Sequence, residues 1–332
     1  MYTIVSNDKT SIYTQDMQYL NSNKIYHGRS EELMKRIAPG SVALSFWSPP
    51  YFVGKDYEKD ETFNSWQTML KSVIQRHFDV LKPGGFMVIN IADILCFEDE
   101  NIPRFQAMNI SAQKSKVTRE MVLEAKTKHP GYDKYQLAEL LGCSEQTIDR
   151  RLNGNNIRGG KYLNQTRVKL VGGNLEKHAY DAGLYLYDHR IWIKDPTWAN
   201  SRWTTNTLKA VSEYEDLYIF WRPGQQVIDR KKLTPDEWRV WGSRALWNMR
   251  SVRANDIHEA MFPLELASRV VRLYSDTDDI VLDPFIGSGT TAIAAIMHGR
   301  KYIGIDKEEK YVKLAQQKIA TYSSQATLPL KS

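Results

Sequence analysis

The sequence predicts an α/β protein in which helices cover both faces of a mostly parallel sheet, with a helical insert in the middle of the chain. Short apolar segments typical of buried strands alternate with amphipathic helical segments near both ends of the 332 residues. This alternation is typical of parallel sheets, because each connection between parallel strands must cross over the sheet. Between residues 94 and 183 the alternation stops, and a polar, Lys-rich region takes its place.

The N-terminal segment contains strand, helix and turn signals in regular order. Its predicted elements are a strand at Lys24–His27, a helix over 30–37, a strand at Val42–Trp47, a helix over 66–81, a turn at 82–85 and a strand over 86–91. The pattern resumes after residue 183, interrupted by a Trp- and Arg-rich stretch between 222 and 260. The C-terminal elements are strands over 184–194 and 215–221, a helix over 263–274, a strand over 279–283, a helix over 288–298, a strand at Lys301–Asp306 and a helix over 309–322.

Composition narrows the class of protein. Hydrophobic residues make up 42% of the chain, which is enough to bury a substantial core. No apolar run approaches the roughly 18 residues of a membrane span, and the polar N-terminus lacks the apolar segment of a signal peptide. We therefore expect a cytoplasmic protein without membrane contact. The two cysteines, Cys96 and Cys143, are too few for a disulfide framework or a four-cysteine metal site, so no metal is predicted.

The positive charge is unevenly distributed. The net charge is +6, but residues 101–180 carry 14 Lys and Arg against 7 Asp and Glu, and residues 190–255 carry 12 against 7. The rest of the chain is therefore mildly acidic. Two basic segments favour a polyanionic partner, although the same counts fit an ordinary solvated surface.

A glycine loop lies between a strand and a helix near the C-terminus. The segment reads Asp283-Pro284-Phe285-Ile286-Gly287-Ser288-Gly289-Thr290-Thr291. Glycines let a ligand approach the backbone, and the helix start supplies N–H donors. About twenty residues later Asp306 ends a strand, where a carboxylate can accept the paired hydroxyls of a ribose. Together these features predict a nucleoside-binding crevice, whereas the loop alone would also fit a tight turn.

A second motif, Ser48-Pro49-Pro50-Tyr51, follows the apolar strand Val42–Trp47. Two prolines fix the backbone and remove its N–H donors, so carbonyl oxygens and the serine hydroxyl are left as acceptors. An exocyclic amine offers two N–H bonds to such acceptors. The tyrosine adds an aromatic face on which a planar base can stack.

These two motifs, in this order, resemble those of DNA methyltransferases that act on exocyclic amines, in the permuted (β) order with the catalytic motif first. Four further segments match the family: Leu81-Lys82-Pro83-Gly84-Gly85, the strand Ile191-Trp192-Ile193-Lys194, His258-Glu259-Ala260-Met261-Phe262-Pro263 and Gly299-Arg300-Lys301-Tyr302-Ile303-Gly304-Ile305-Asp306. The resemblance covers about residues 24–94 and 184–320, and it implies a Rossmann-like methyltransferase fold. Trp47 stands where a threonine is common in the family, and Arg29 stands where an aspartate is common.

The resemblance implies a role for each matched position. The residues expected around S-adenosylmethionine are Asp283, Pro284, Phe285, Gly287, Gly289, Thr290, Thr291, Asp306, His258, Phe262 and Pro263. The residues expected around the target base are Ser48, Pro49, Pro50 and Tyr51. Residues 1–94 and 184–332 would then form the catalytic domain.

The implied activity is methylation of the cytosine N4 amine in double-stranded DNA by base flipping, within a restriction–modification system. In the family, serine before Pro-Pro-Tyr usually accompanies cytosine-N4 as the target. Adenine-N6 methylation is the first alternative, and a DNA-binding regulator with a vestigial methyltransferase fold is the second. Methylation of cytosine carbon-5 would need a cysteine after a proline, whereas Leu95 precedes Cys96 and Gly142 precedes Cys143.

The insert over residues 95–183 contains a segment, residues 135–152, that resembles a helix-turn-helix. Leu137, Ala138, Leu141, Ile148 and Leu152 would form its apolar face, Gly142 its turn and Ser144 a helix cap. The outward residues that would contact DNA are Gln146, Thr147, Arg150 and Arg151. A helical hairpin with a purely structural role is the alternative, and residues 195–255 are the other candidate target-recognition region. We expect a monomer or a homodimer.

Overall fold

The structure is a computed structural model that describes residues 18–51, 62–97, 115–153, 167–196, 210, 212–227, 229–252 and 262–326. The chain divides into two compact units. Met1–Ala92, Val171–Lys194 and Tyr214–Ser332 form the first, which we call the catalytic unit, and Asp93–Leu170 and Asp195–Glu213 form the second. The predicted α/β class is confirmed, because the catalytic unit contains a large, mostly parallel sheet with flanking helices.

The strands follow the predicted pattern closely, because most of them are short apolar runs bounded by turn residues. Those of the catalytic unit are β1 (Lys24–His27), β2 (Val42–Trp47), β3 (Leu81–Ile91), β6 (Tyr185–Ile193), β7 (Tyr214–Trp221), β8 (Leu246–Asn248), β9 (Ile280–Asp283) and β10 (Lys301–Asp306). The second unit contains the antiparallel pair β4 (Ile94–Phe97) and β5 (Arg167–Lys169).

The helices of the catalytic unit begin at recognisable caps in several places. Thr62, for example, accepts a hydrogen bond from the backbone N–H of Ser65 at the start of α2. These helices are α1 (Ser30–Leu33), α2 (Phe63–Val80), α6 (Gly172–Asp181), α7 (Pro235–Glu237), α8 (Leu264–Tyr274), α9 (Thr290–Met297) and α10 (Glu309–Ala326). The second unit contributes α3 (Arg119–Lys128), α4 (Lys134–Leu140) and α5 (Glu145–Asn153). No helix of the described residues is both long and apolar enough to cross a membrane.

The sheet has the strand order β1-β10-β9-β2-β3-β7-β6-β8. The first five of these strands are parallel to one another, whereas β7 is antiparallel to both of its neighbours, β3 and β6. Strand β2 therefore lies beside β9, although the two are separated in the chain by most of its length. This crossover brings the segments after the two strands to the same edge of the sheet.

Helices cover both faces of this sheet, as alternate side chains of β2 show. Leu44 and Phe46 belong to a buried cluster with residues of α8, such as Leu266. Ser45, on the opposite face, lies 2.8 Å from the Nε2 atom of His77 in α2. Because successive side chains of a strand point to opposite faces, α8 and α2 pack on opposite sides of the sheet.

Two details differ from the sequence-based expectations. Strand β3 begins at Leu81, so that residues 82–85 interrupt its pairing with β2 as a bulge and do not precede the strand as a separate turn. Helix α6 lies within the predicted insert of residues 95–183 but belongs to the catalytic unit, where it packs against α2. The packing of an amphipathic helix depends on its tertiary neighbours, which local composition does not reveal.

The Trp- and Arg-rich stretch lies partly in the core of the catalytic unit. Trp241 and Trp247 are buried in the same cluster as the sheet residues, and their rings meet edge to face at 6.1 Å. The guanidinium of Arg190 lies 5.0 Å from the centre of the Trp247 ring. These tryptophans therefore stabilise the sheet edge at β8. Residues 197–209 of the candidate region 195–255 lie outside the described residues.

Candidate active site

Three neighbouring strands end at one edge of the sheet and carry the motif residues. In the register of the sheet, Asp283 at the end of β9 pairs with Gly304 of β10, and Ser45 of β2 pairs with Leu282 of β9. The glycine loop after β9 and the Ser-Pro-Pro-Tyr segment after β2 are therefore adjacent. Open α/β sheets bind ligands at this carboxyl edge.

Asp283 is a buried carboxylate that fixes the start of the glycine loop. Its Oδ1 atom accepts a hydrogen bond of 2.9 Å from the backbone N–H of Phe285. The hydroxyl of Thr291, at the start of α9, donates to the carbonyl of Phe46 in β2 at 3.4 Å. Burial raises the pKa of Asp283 to about 7, because a desolvated carboxylate disfavours its charged form. The nearby charge of Asp306 adds to this effect.

Asp306, at the end of β10, connects the two strand ends. Its side chain accepts hydrogen bonds from the backbone N–H groups of Gly287, at 3.0 Å, and Glu308, at 2.9 Å. Only 8% of the residue is exposed, and burial raises the pKa of its carboxyl. Asp306, which the sequence spacing predicted as a ribose acceptor, is thus hydrogen-bonded to the backbone of the glycine loop.

Glycine is required at position 289 for two reasons. The residue has a φ of +89°, in the left-handed region, and it caps the start of α9. A Cβ atom there would also lie 3.2 Å from Ala315 of α10. The loop can therefore turn tightly under α10 only with glycine at this position. The following residue, Thr290, begins the helix, whose N-terminus points backbone N–H groups towards the loop.

The Ser-Pro-Pro-Tyr segment is held by side-chain hydrogen bonds. The hydroxyl of Ser48 donates to the Oη atom of Tyr51 at 3.1 Å. The indole N–H of the buried Trp66, in α2, donates to the carbonyl of Pro50 at 2.8 Å. The Pro50 carbonyl therefore already accepts one hydrogen bond within the protein, whereas the sequence predicted it as a free acceptor. Of the two prolines, Pro49 is the buried one.

Two further side chains lie next to this motif, and sequence analysis did not select either as a site residue. Tyr51 donates a hydrogen bond of 2.7 Å to Glu215 of β7, and Glu215 also accepts from the ammonium of Lys194. The available signals were weak: two adjacent carboxylates near the start of β7, and a lysine just after β6. Only the sheet pairing of β6 with β7 brings them together.

Trp47 and Arg29, the two departures from the family pattern, occupy different environments. Trp47 is completely buried and stacks on His77, with 5.6 Å between the ring centroids. Its ring centroid lies 5.4 Å from that of Phe285 in the glycine loop. Its indole N–H has no hydrogen-bond partner among the described residues. Arg29 is mostly exposed and pairs with Glu31 at 2.6 Å, while the adjacent Ser30 donates to the Pro284 carbonyl. Ser30 thus makes the contact between this segment and the glycine loop.

The segment before α8 is partly described. Phe262 packs at 4.8 Å against Phe46 of β2, and Pro263 caps α8. Both lie beside the strand that leads to Ser48. His258, the third residue predicted from this segment, lies outside the described residues. In the part of the chain that the structure describes, no group of three or more His, Cys, Asp or Glu residues could hold a metal ion.

In the second unit, helices α3, α4 and α5 pack around a small apolar cluster, and the residues predicted for this cluster are found in it. Leu137, Ala138 and Ile148 are buried, and Leu141 and Leu152 pack against them. Ser144 caps α5 by accepting from the N–H of Thr147, as predicted. The helix–turn–helix order of α4 and α5 is therefore present in this unit.

The four residues expected to contact DNA have different environments. Gln146 and Arg150 are exposed, and Thr147 is half-buried, with its hydroxyl 3.1 Å from that of Ser144. Arg151 donates from Nε to the backbone carbonyl of Val117 at 2.8 Å. Both arginines are exposed, and Arg151 also joins α5 to the segment before α3.

The fold, with the glycine loop after β9 beside the Ser-Pro-Pro-Tyr segment after β2, is that of a methyltransferase. The N6/N4 methyltransferase family model, described as DNA methylase, matches residues 42–317, and the chain belongs to this family. It is therefore a DNA methyltransferase. The chain is 56% identical to the Type II methyltransferase M.BglI of Bacillus subtilis over 304 residues. These residues cover 92% of this chain and 87% of that protein.

Solved structures share the fold at lower identity. The DNA modification methylase TTHA0409 from Thermus thermophilus, crystallised as a complex with S-adenosyl-L-methionine, has a TM-score of 0.57 and 24% identity. That comparison covers 90% of this chain and 93% of the other. The cytosine-N4-specific PvuII DNA methyltransferase has a TM-score of 0.54 and 17% identity. That comparison covers 93% of this chain and 94% of the other. At these identities the two structures show a common fold.

Proposed function

We propose that this DNA methyltransferase transfers a methyl group from S-adenosylmethionine to the N4 amine of cytosine in double-stranded DNA. The observation that carries the proposal is the position of Ser48, at the end of β2 and beside the glycine loop after β9. The similarity to a Type II methyltransferase supports a further proposal, that the chain is the modification enzyme of a restriction–modification system.

S-adenosylmethionine is the methyl donor, and the residues after β9 and β10 fit it. When bound, it supplies an electrophilic methyl group on a sulfonium. We assign the Asp306 carboxylate to the ribose hydroxyls, which its position at the end of β10 and its hydrogen bond with Gly287 support. The N-terminus of α9 supplies backbone N–H groups next to the loop. The buried, acidic side chain of Asp283 favours a cationic ligand.

The amine side of the site is formed by two acceptors, the hydroxyl oxygen of Ser48 and the carbonyl of Pro49. The Pro50 carbonyl already accepts from the indole N–H of Trp66, so we assign the amine to the Pro49 carbonyl. An amine conjugated to a pyrimidine ring is a poor nucleophile, because its lone pair is delocalised into the ring. Hydrogen bonds from both of its N–H groups draw the nitrogen towards tetrahedral geometry, and they strengthen as positive charge develops during the in-line displacement.

The aromatic ring of Tyr51 follows these acceptors and is suited to stack on the target base. Because the amine lies within the duplex, the base must leave the stack to reach it. The second unit, with its exposed Arg150, is the proposed reader of the DNA around the target. Residues 195–255 remain the other proposed reader, although Trp241 and Trp247 of that region are part of the core.

The cysteines argue against methylation at cytosine carbon-5, which needs a thiolate nucleophile. Cys143 belongs to the apolar cluster of the second unit, and burial raises the pKa of its thiol. A raised pKa disfavours the thiolate. Direct transfer to an exocyclic amine requires no such nucleophile.

Product analysis tests the proposed target atom. DNA from a methylation-deficient host expressing the protein is digested to nucleosides and compared by mass spectrometry with chromatographic standards. We expect N4-methylcytosine, and we expect Ser48→Ala to lower the methyl-transfer rate about 100-fold without changing cofactor affinity. N6-methyladenine as the main product would replace the proposed target with the alternative one. Finding 5-methylcytosine would overturn the mechanism.

A further inference from the structure

Four side chains at the active-site edge form a continuous chain of hydrogen bonds. Ser48 donates to Tyr51 at 3.1 Å, Tyr51 donates to Glu215 at 2.7 Å, and Lys194 donates to the other carboxylate oxygen of Glu215. The residues come from three places in the sheet: the segment after β2, the start of β7 and the end of β6. These ends meet at one edge because β7 is antiparallel to both of its neighbours.

The direction of these hydrogen bonds follows from Glu215. An ionised carboxylate can only accept, and an ammonium can only donate, so Tyr51 must point its proton at Glu215. The Tyr51 oxygen is then an acceptor for the proton of Ser48. A serine hydroxyl has a single proton, and with that proton directed at Tyr51 its lone pairs face an incoming amine.

The Glu215–Lys194 pair is well suited to fix this direction. The Glu215 side chain is 9% exposed and that of Lys194 is 15% exposed, so solvent screens the pair only weakly. Strand pairing places Glu215 opposite Trp192, two residues before Lys194. The Lys194 ammonium also lies 5.6 Å from the Trp192 ring, which restricts its side chain further.

We propose that Glu215, held by Lys194, is a positioning residue that acts through Tyr51 to keep the Ser48 oxygen as an acceptor for the target amine. The proposal rests on the proposed role of Ser48. It gives Tyr51 a second task besides stacking, because its hydroxyl sets the rotamer of the Ser48 proton. Glu215 itself needs no contact with the base.

The substitution Glu215→Gln should reverse the direction of these hydrogen bonds with little change in the shape of the side chain. The amide oxygen can satisfy only one of the two donors, and the charged Lys194 competes better for it. The amide NH2 group then faces Tyr51 and donates to its oxygen. The Tyr51 proton turns towards Ser48 and occupies a lone pair that the amine needs. We therefore expect a slower chemical step with unchanged binding of DNA and cofactor.

A double-mutant cycle tests the proposal with Tyr51→Phe, Glu215→Gln and the double variant. The measurement is single-turnover transfer of a radiolabelled methyl group to unmethylated genomic DNA, with both affinities determined separately. We expect each single variant to be about 10 to 100 times slower, with both affinities within about twofold of wild type. In the Tyr51→Phe background, Glu215→Gln should have no further effect, because its route to Ser48 is already removed.

Three outcomes would overturn the proposal: multiplying effects in the double variant, a wild-type rate in Glu215→Gln, or a wild-type rate in Tyr51→Phe. The rate of Tyr51→Phe tests the proposal even if Glu215→Gln does not fold. Tyr51→Phe removes no charge, so it leaves the ion pair between Glu215 and Lys194 intact. Ser48→Ala separates this proposal from the proposed function. A slow Ser48→Ala beside normal Tyr51→Phe and Glu215→Gln variants would refute only the positioning role, and a normal Ser48→Ala would refute the role of Ser48 itself.

Discussion

At the residue scale, burial of the Asp283 carboxyl makes the stability of the protein depend on pH. Burial raises its pKa to about 7 from an ordinary value of 3.8, so the folded protein retains a proton that the unfolded chain releases. The folded state then binds more protons than the unfolded state between about pH 4 and pH 7. The contribution of Asp283 to the free energy of unfolding of the cofactor-free protein therefore falls as the pH rises through this window.

Asp283→Asn should therefore stabilise the cofactor-free protein increasingly as the pH rises. Asparagine cannot ionise, yet its oxygen still accepts from the N–H of Phe285. We expect the difference from wild type in the free energy of unfolding to grow by about 2 kcal/mol between pH 5 and pH 8, measured by urea denaturation. Asp236→Asn, whose carboxylate is 83% exposed, is the matched control and should show a constant difference.

The same variant should lose affinity for S-adenosylmethionine. Wild-type binding, measured by calorimetry, should tighten as the pH rises from 6 to 8, because the ionised carboxylate attracts the cationic ligand. Asp283→Asn should bind more weakly and without this pH dependence. An equal pH dependence in both proteins would place the titrating group elsewhere.

At the scale of elements, α5 presents two adjacent arginines in different environments. Both are exposed, but Arg151 also donates to the carbonyl of Val117 and so joins α5 to the segment before α3. Ile148, one turn earlier on α5, is completely buried in the cluster of the second unit. One helix thus offers a matched pair of substitutions, in which one position tests DNA binding and the other tests packing.

Arg150→Ala should weaken DNA binding without destabilising the second unit. If Arg150 contacts a phosphate, the slope of log K against log salt concentration should fall in magnitude by about one, with cofactor affinity unchanged. Arg151→Ala should instead destabilise the helices by about 1 kcal/mol, because it leaves a carbonyl without its donor. Fluorescence anisotropy at several salt concentrations and urea denaturation separate these effects. A normal salt slope in Arg150→Ala would favour residues 195–255 as the DNA reader.

At the scale of the whole molecule, a buried histidine links α2 to the centre of the sheet. The His77 ring lies 2.8 Å from both the Val73 carbonyl and the Ser45 hydroxyl. Ser45 in turn lies 3.2 Å from the carbonyl of Leu282 in β9. This network therefore connects the strand that precedes the Ser-Pro-Pro-Tyr segment with the strand that precedes the glycine loop.

Acid should destabilise the catalytic unit through this histidine. Burial lowers the pKa of His77 from 6.5 to about 4. Between these two pH values the unfolded chain therefore binds a proton at this histidine and the folded protein does not. The contribution of His77 to stability is fully present above pH 6.5, and up to about 3 kcal/mol of it is lost as the pH falls to 4. His77→Gln, which cannot be protonated, should show a shallower loss in urea denaturation between pH 7 and pH 4.5. An unchanged slope would mean that other groups control the acid transition.

The local patterns of the sequence determined the elements and both motif segments. The strands β1, β2 and β10 have the predicted bounds, because each is a short apolar run with clear turn residues on both sides. The positions of Asp283 and Asp306 at strand ends follow from the same patterns. The apolar face of the helix-turn-helix was also predictable, since it depends only on helical spacing.

The tertiary structure decided which of these segments meet. Ser45 and Leu282 lie 237 residues apart in the chain, and Tyr51 and Glu215 lie 164 residues apart. The donation from Trp66 to Pro50 and the burial of Trp47 likewise depend on helix α2 packing against the sheet. Hydropathy and turn residues report the local conformation of the backbone. Strand order and side-chain partners result from contacts between distant segments, and only the folded chain brings those segments together.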